Sequence, residues 1–249
     1  MNCLLLKPED FTSSASAYIA DYRFEHCKRI LKAKQGDIIQ IGELDGELGS
    51  ALIDTIEDDH LTLKRITFDQ SPPKPLDLTV IIALARPKAL KRILRNIAEF
   101  GIKEVILLNT YKVEKSYWQT PVITEAEKYF IQGLEQAKDT VLPSLYIEKR
   151  FKPFVEDKLP ELCQTHNAFV AHPAQKSESN QPFISLLALQ ESAQKSRKKT
   201  LAVIGPEGGF IPYEVDKLLE AGCQPLDLGK RIYRVENALS LICLSQNTI

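Results

Sequence analysis

The sequence predicts an α/β protein in which a smaller β-rich domain precedes a domain built on a parallel β-sheet. Residues 71–77 read SPPKPLD, with three prolines in five positions, and such a cluster favours an extended connector. After it, continuous apolar runs alternate with segments of helical periodicity, as in sheets whose strands are covered on both faces. We therefore place a first domain at residues 1–71 and a second at residues 72–249.

The first domain is predicted to consist mostly of strands. Its short apolar runs lie at residues 37–44, 49–56 and 60–68, and Gly and Asp turns separate them. One helix is predicted within FEHCKRILKAKQG, and we expect it to end at Gly36, because glycine commonly follows the last turn of a helix.

The second domain has a strand–helix rhythm. Its predicted strands are the apolar runs at 78–85, 104–109, 168–172, 200–205 and 224–229. The first helix of this domain places Leu90, Ile93, Leu94, Ile97 and Ala98 on one face and ends at Gly101. Further helices are predicted at about 124–138, in the polar stretch between the strands at 168–172 and 200–205, and in VENALSLICLSQ.

Composition and charge narrow the classes of function. The chain has 249 residues, 44% of them hydrophobic and 26% charged, which is typical of globular proteins. Its net charge is −1, with 32 basic and 33 acidic residues, so bulk charge does not indicate a non-specific polyanion binder. No apolar run reaches 18 residues, so we expect no membrane span, and the start MNCLLLKPED is too short in apolar residues for a signal peptide.

Cysteine usage predicts a cytoplasmic protein without a metal site. The five cysteines have no repeated spacing, which favours reduced thiols. Cys163 and His166 form one C-x-x-H, but no second pair with zinc-ligand spacing follows. The sequence also lacks H-E-x-x-H and G-x-S-x-G, the motifs of zinc proteases and serine hydrolases.

Three loops follow predicted strands and are candidates for one binding site. They are AHP at 171–173, GPEGG at 205–209 and LGKRIYR at 228–234. Ligands of open parallel sheets bind at the carboxyl ends of the strands. The strand assignments alone therefore predict that these loops converge on a single pocket.

The glycine-rich loop does not have the pattern of a phosphate-binding loop. It lacks the Lys and Ser/Thr of a Walker A motif, its glycines do not have the G-x-G-x-x-G spacing, and Glu207 adds a negative charge. A zwitterionic or cationic ligand that bonds to main-chain groups fits better, and S-adenosylmethionine is one such cofactor. The alternative is a purely structural turn before a helix that starts at Pro212.

Two motifs together resemble a known enzyme family. IGPEGGF with the downstream Glu214, followed by LGKRIYRVENAL, is similar to the paired signature of RsmE-type ribosomal RNA methyltransferases of the SPOUT superfamily. The resemblance extends to HCKRILKAKQGD at 26–37, EFG at 99–101, EQ at 135–136 and AHP at 171–173. It thus covers nearly the whole chain in order.

The resemblance implies a fold and an activity. The fold would be a PUA-like β-barrel RNA-binding domain followed by an α/β SPOUT-type domain with a C-terminal trefoil knot. The protein would be a homodimer that uses S-adenosylmethionine to methylate N3 of a uridine in 16S ribosomal RNA. The cofactor-binding residues implied by the motifs are Ala171, His172, Pro173, Ile204, Gly205, Pro206, Glu207, Gly208, Gly209, Leu228, Gly229, Ile232, Tyr233, Arg234 and Asn237.

Two positions depart from the family pattern. Where the family has E-T-A, this chain has Glu236-Asn237-Ala238, so an amide replaces a hydroxyl. Where E-Q-x-x-R ends in arginine, this chain has Asp139. These departures motivate an alternative, a catalytically weak RNA-binding or ribosome-assembly factor on the same scaffold. An unrelated nucleotide-binding α/β enzyme is disfavoured by Glu207.

Catalysis at a uridine N3 requires stabilisation of an imide anion and removal of its proton. Arg234 is the candidate for substrate electrostatics and Glu236 for the base or an orienting group, and the alternative is that the two form a structural ion pair.

Candidates for RNA binding are basic residues on two predicted helices and their flanks. They are His26, Arg29 and Lys32 in the first domain, and Arg86, Lys88 and Arg92 in the second, with Lys91 and Arg95 on the same helix. The alternative for each helix is a solvated face. Tyr111, Tyr117 and Trp118 are candidates for stacking on a splayed base, or else for core or dimer packing.

Overall fold

The computed structural model describes residues 1–173, 182–195 and 198–246. Contacts divide the chain into two compact units. One comprises Met1–Lys74 together with Phe130–Leu142, and the other comprises Pro75–Tyr129 together with Pro143–Ile249. The first unit therefore includes Phe130–Leu142, which is distant in sequence from the rest of that unit. A single boundary along the sequence, such as the one predicted between residues 71 and 72, cannot describe this division.

The first unit contains a six-stranded mixed sheet, one helix from its N-terminal part, and residues 130–137 of a helix that comes later in the chain. Its strands are β1 (Leu4–Leu6), β2 (Phe11–Ser13), β3 (Ser16–Ile19), β4 (Ile38–Glu43), β5 (Leu48–Ile56) and β6 (Leu61–Gln70). Their order is β1-β4-β5-β6-β3-β2; β1 pairs with β4 in parallel and the other pairs are antiparallel. The three strands predicted here are confirmed as β4, β5 and β6. Apolar side chains from the sheet pack around Phe24 and Cys27.

Helix α1 (Tyr22–Arg29) is shorter than predicted. Asp21 caps its start by accepting a hydrogen bond from the N–H of Arg23. The helix was expected to reach Gly36, but Ile30 and Leu31 are exposed, so no core holds a further helical turn. Gly36, with φ +91°, instead donates its N–H to the carbonyl of Ile53 in the turn that leads to β4.

The second unit contains a parallel seven-stranded sheet. Its strands are β7 (Leu78–Ala83), β8 (Glu104–Leu108), β9 (Ser144–Glu148), β10 (His166–Ala171), β11 (Ile184–Ser185), β12 (Lys199–Ile204) and β13 (Gln224–Asp227). Their order is β11-β13-β10-β12-β7-β8-β9. The five predicted strands are confirmed as β7, β8, β10, β12 and β13.

Helices connect these strands, as the alternating pattern predicts. They are α2 (Pro87–Glu99), α3 (Pro121–Thr124), α4 (Ala126–Ala137), α5 (Phe151–Pro153), α6 (Leu159–Thr165), α7 (Leu186–Lys195), α8 (Pro212–Glu220) and α9 (Val235–Gln246). The predicted apolar face of α2 is fully buried, and Gly101, with φ +78°, follows its end. No helix in the described ranges is long and apolar enough to cross a membrane.

The sheet order brings three strand ends together. β10 lies between β13 and β12, and Ala171 at its end is in register with Leu226 of β13 and Ile204 of β12. All three strands point the same way, so the loops that follow them leave one edge of the sheet side by side.

Candidate active site

A pocket of about 300 Å³ lies at the carboxyl ends of β10, β12 and β13. Its volume is at the lower end of the roughly 300–1,000 Å³ usual for small-molecule sites. The predicted convergence of three loops is therefore confirmed. The predicted residues in its wall are Ala171, His172, Pro173, Ile204, Gly205, Pro206, Glu207, Gly208, Gly209, Leu228, Gly229, Ile232 and Tyr233.

The glycine-rich loop places main-chain groups along this pocket. After β12 the chain turns tightly, and Gly209 donates its N–H to the carbonyl of Pro206 at 2.8 Å. Gly209 has φ +68°, a conformation that side chains other than glycine adopt at a cost. A Cβ built on Gly205 would lie 3.1 Å from the ring of Phe210, so this position also has little room for a side chain.

The loop after β13 is held by a carboxylate. Gly229 donates its N–H to Oδ1 of Asp227 at 3.0 Å, in the manner of an Asx turn, and has φ +107°. His172, from the loop after β10, is buried and donates its backbone N–H to the carbonyl of Leu226 at 3.2 Å. This backbone hydrogen bond joins the loop after β10 to the end of β13.

Glu214 ties the glycine-rich loop to a fourth segment. Its side chain is buried, and Oε2 accepts a hydrogen bond from the N–H of Ile211 at 3.0 Å, at the start of α8. Oε1 accepts from the N–H of Tyr111 at 2.7 Å, just beyond β8. This one carboxylate therefore sets the position of α8 relative to the loop that follows β8.

Two basic side chains contact the glycine-rich loop. The N–H and Nε of Arg86 both donate to Oε1 of Glu207 at 3.2 Å. Lys112 donates from Nζ to the carbonyl of Gly208 at 2.8 Å. A cation therefore does contact the glycine-rich loop, although the loop itself contains no lysine.

Several residues of the pocket wall were not predicted from the sequence. They are Lys112, Phe210, Pro212, Val215, Asp216, Asp227, Arg231, Val235 and Ala238. Most lie within the predicted motifs or within a few residues of them, so extending those motifs along the sequence would include them. Lys112 follows β8, which is not a neighbour of β12 in the sheet, and no local signal points to it.

Arg234 and Asn237 are exposed and lie outside the pocket wall, unlike the other predicted cofactor residues. Val235 and Ala238 are buried and belong to the wall. These two are three residues apart at the start of α9 and share a face of the helix, so residues 234 and 237 lie on another face.

Glu236 forms an ion pair with Arg92, whose Nη2 donates to Oε1 at 2.7 Å. Burial would raise the pKa of Glu236, but its own backbone N–H, the hydrogen bond and charge of Arg92, and the charge of Arg234 outweigh this and lower the pKa. The carboxylate is therefore ionised at neutral pH, which suits an orienting group better than a proton acceptor.

The candidate RNA-binding residues occupy several environments. Arg29 pairs with Glu25 at 2.7 Å, Lys32 and Lys88 are exposed, and His26 is half-buried, with its pKa lowered by burial and the N-terminal charge. On α2, Lys91 and Arg95 lie over the ring of Tyr129, at 5.6 and 5.5 Å.

Asp139 has a structural environment within the first unit. It is buried, and its Oδ1 accepts a hydrogen bond from the N–H of Val141 at 3.0 Å. The following Thr140 donates its hydroxyl to the carbonyl of Gly46 at 2.5 Å. Asp139 therefore stabilises the turn after α4. In the described ranges, no group of three or more His, Cys, Asp or Glu residues has the arrangement of a metal site.

Sequence comparison identifies relatives over the whole chain. Residues 72–246 match the model of the RNA methyltransferase domain family. The chain is 27% identical to ribosomal RNA small subunit methyltransferase E of Treponema pallidum, over 98% of this chain and 89% of that protein. It is 28% identical to ribosomal RNA small subunit methyltransferase E 1 of Borreliella burgdorferi, over 96% of this chain and 94% of that protein.

Structural comparison gives the same fold. A ribosomal RNA small subunit methyltransferase E from Neisseria gonorrhoeae, bound to S-adenosylmethionine, is similar with a TM-score of 0.71 and 17% identity, over 98% of this chain and 95% of that chain. A probable rRNA methyltransferase from Porphyromonas gingivalis is similar with a TM-score of 0.70 and 20% identity, over 97% and 95%. Because the family model spans most of its length, the chain belongs to the RNA methyltransferase family, and its curated relatives assign it to the RsmE type.

Proposed function

We propose that this protein is an S-adenosylmethionine-dependent methyltransferase that methylates N3 of a uridine in the 16S ribosomal RNA of the small subunit. The observation that carries the proposal is the pocket at the ends of three adjacent parallel strands, lined by the two signature loops of the family. Its curated relatives are named as small-subunit ribosomal RNA methyltransferases.

The chemistry of the pocket fits S-adenosylmethionine. Ile204, Leu228 and Ile232 supply apolar surface for a flat adenine ring, and the glycine-rich turns supply main-chain groups for its polar edge. Glu207, Asp216 and Asp227 place carboxylates in the wall, and Lys112 and Arg231 place cations there, which suits a ligand that carries a sulfonium, an ammonium and a carboxylate. When bound, the cofactor supplies an electrophilic methyl group.

The residues at the start of α9 are proposed to act on the uridine. The exposed guanidinium of Arg234 would stabilise the anion that forms when N3 loses its proton. Glu236, held by Arg92, would orient the substrate or Arg234. Asn237 is exposed beside them and retains a donor and an acceptor where the family has a threonine.

Further features of the proposal follow from the family resemblance. We propose that residues 1–71 form a PUA-like RNA-binding domain in which His26, Arg29 and Lys32 contact RNA, and that Arg86, Lys88 and Arg92 do so in residues 72–249. A trefoil knot, a homodimeric assembly and a cytoplasmic location complete the proposal. The mixed sheet of the first unit and the parallel sheet of the second support the two-domain arrangement.

Two measurements test the function. Titration calorimetry is expected to detect binding of S-adenosylmethionine, and a folded protein that binds none would contradict the proposal. Mass-spectrometric mapping of small-subunit RNA is expected to find one N3-methyluridine that disappears when the gene is deleted. Unchanged N3-methyluridine would instead favour a catalytically weak RNA-binding or ribosome-assembly factor.

A further inference from the structure

The segment after β8 presents an exposed aromatic ring next to the cofactor pocket. Tyr111 is 78% exposed, the largest exposed fraction among the large hydrophobic side chains of the described residues. Its backbone is nevertheless held firmly, because its N–H donates to the buried carboxylate of Glu214 at 2.7 Å. Val113, two residues later, is buried and anchors the chain on the C-terminal side of Tyr111.

Lys112 connects this segment to the glycine-rich loop. Its Nζ donates to the carbonyl of Gly208 at 2.8 Å, and it is part of the pocket wall. The aliphatic stem also packs against this loop, since a Cβ built on Gly208 would lie 2.9 Å from its Cδ. An ammonium group has three donors, so the bond to Gly208 leaves capacity for an anionic oxygen.

These contacts fix the backbone of Tyr111, whose ring is exposed, directly beside Lys112, whose side chain is part of the pocket wall. Enzymes that modify a base act on it outside the helical stack. Proteins hold such single-stranded nucleotides by stacking bases on aromatic rings and by contacting phosphates with Lys or Arg. Tyr111 and Lys112 supply both kinds of group on a backbone held by Glu214 and Val113.

We propose that Tyr111 and Lys112 form a subsite for an unstacked nucleotide of the RNA substrate, with the ring of Tyr111 stacked on the base and Lys112 contacting a phosphate oxygen. This inference rests on the proposed function. Stacking does not distinguish one base from another, so the subsite contributes affinity and orientation and does not select uridine.

Methyl transfer to natural substrate tests the subsite. The probe is the small ribosomal subunit purified from a strain that lacks the gene, with S-adenosylmethionine labelled in its methyl group. Tyr111→Ala is expected to lower kcat/KM for subunits by about tenfold or more, because stacking on a base is lost. Its Kd for S-adenosylmethionine is expected to stay within about twofold of wild type.

Two variants serve as controls. Tyr111→Phe keeps the ring and is expected to retain wild-type kcat/KM. Tyr146→Ala removes a tyrosine that is 55% exposed on β9, the edge strand of the same sheet, and is also expected to match wild type.

Salt dependence tests the phosphate contact. For Lys112→Gln, we expect the slope of log(kcat/KM) against log[salt] to become shallower by about 0.7, the contribution of one phosphate contact in a single strand. Lys112→Arg keeps a cation and is expected to retain the wild-type slope. An unchanged slope in Lys112→Gln would remove Lys112 from the subsite.

The outcomes separate this inference from the function on which it rests. A wild-type protein that binds no S-adenosylmethionine and methylates no subunits would overturn both. Wild-type activity with an equally active Tyr111→Ala would overturn the subsite alone. A Tyr111→Ala variant that loses cofactor affinity, or that changes its oligomeric state, would also overturn it, because the ring would then belong to the cofactor pocket or to a contact between copies.

Discussion

Arg92 on α2 and Glu236 on α9 form an ion pair with a distance of 2.7 Å. Arg92 was predicted to bind RNA and Glu236 to take part in catalysis, so the pair links the two predicted roles. The pair joins two helices that pack against each other in the second unit. The pair holds the first turn of α9, and the exposed Arg234 directly precedes this turn. In the proposed mechanism, Arg92 is a positioning residue that acts through Glu236.

Replacing Arg92 is expected to change the pH dependence of methyl transfer. The hydrogen bond and charge of Arg92 lower the pKa of Glu236, so Arg92→Met raises it. The acid limb of the kcat/KM profile should then move to higher pH, because Glu236 becomes protonated earlier as the pH falls. Arg95→Met, which removes a cation from the same helix, is the control and should leave the acid limb in place. Identical acid limbs for Arg92→Met and wild type would show that Glu236 does not act in its ionised form.

Gly209→Ala is expected to weaken cofactor binding. Gly209 has φ +68°, and a left-handed conformation costs a residue with a Cβ about 1 kcal/mol or more. A loop that relaxes away from this conformation no longer presents the same main-chain groups, so the Kd for S-adenosylmethionine should rise about fivefold or more, as calorimetry can measure.

Gly36→Ala is the matched control for that change. Gly36 also has a positive φ, and like Gly209 it has open space where a Cβ would stand, but it lies in the first unit and outside the pocket. Its replacement should lower stability without changing the Kd. Equal effects of the two substitutions on the Kd would contradict a specific role for the glycine-rich turn.

Glu214→Gln is expected to destabilise the second unit, including the loops that form the pocket wall. A carboxylate accepts hydrogen bonds at both oxygens, whereas an amide has one accepting oxygen and would set its NH2 group against the N–H of Ile211 or Tyr111. Leaving a buried donor unsatisfied costs about 1–3 kcal/mol, which urea unfolding can measure. Glu220→Gln, at the exposed end of the same helix, should cost much less. Similar losses for both would mean that the two bonds of Glu214 are unimportant.

The stability of the first unit is expected to depend on the ionisation of Glu135. Burial raises the pKa of this α4 carboxyl from 4.5 to about 7, although the hydrogen bonds from the Tyr22 hydroxyl and the Leu5 N–H and the charge of Arg23 act in the opposite direction. The folded state therefore binds a proton more tightly than the unfolded state. The stability that protonated Glu135 contributes to the folded state is fully present below about pH 4.5 and is lost as the pH rises to about 7.

Glu135→Gln isolates this contribution. As the pH rises from about 4.5 to about 7, wild type should lose on the order of 3 kcal/mol of unfolding free energy relative to Glu135→Gln. Urea unfolding followed by circular dichroism at several pH values measures it. Glu47→Gln, at an exposed position of the same unit, should show no such trend. Parallel pH curves for Glu135→Gln and wild type would refute the prediction.

The parallel sheet and the pocket could be predicted because their signals are local. β7, β12 and the end of β10 are continuous apolar runs, since helices cover both faces of the sheet. A strand that ends in AHP or GPEGG leaves its loop at the carboxyl edge whatever its neighbours are. The adjacency of β13, β10 and β12 then brings these loops together.

The parts of the fold and of the site that could not be predicted depend on contacts between residues that are distant in the sequence. β9 is an edge strand whose Tyr146 and Ile147 are exposed, so it lacks the apolar run that predicts a buried strand. β1 has only three residues, and its place beside β4 depends on pairing across more than thirty residues. Lys112 bonds to the glycine-rich loop, and its neighbour Tyr111 bonds to Glu214 of α8, so both contacts join segments that are about a hundred residues apart in the sequence. None of these contacts leaves a pattern in the sequence around it.

The segment Phe130–Leu142 determines when the first unit can form during synthesis. The N–H groups of Asn2 and Cys3 bond to the carbonyl of Glu135, and the N–H of Asp45 bonds to that of Thr140. The first 74 residues therefore leave the ribosome without partners that arrive almost sixty residues later, after β7 and β8 of the second unit have already emerged. The two units of this chain thus cannot mature strictly one after the other, and a fragment that ends at the proline connector would be an incomplete fold.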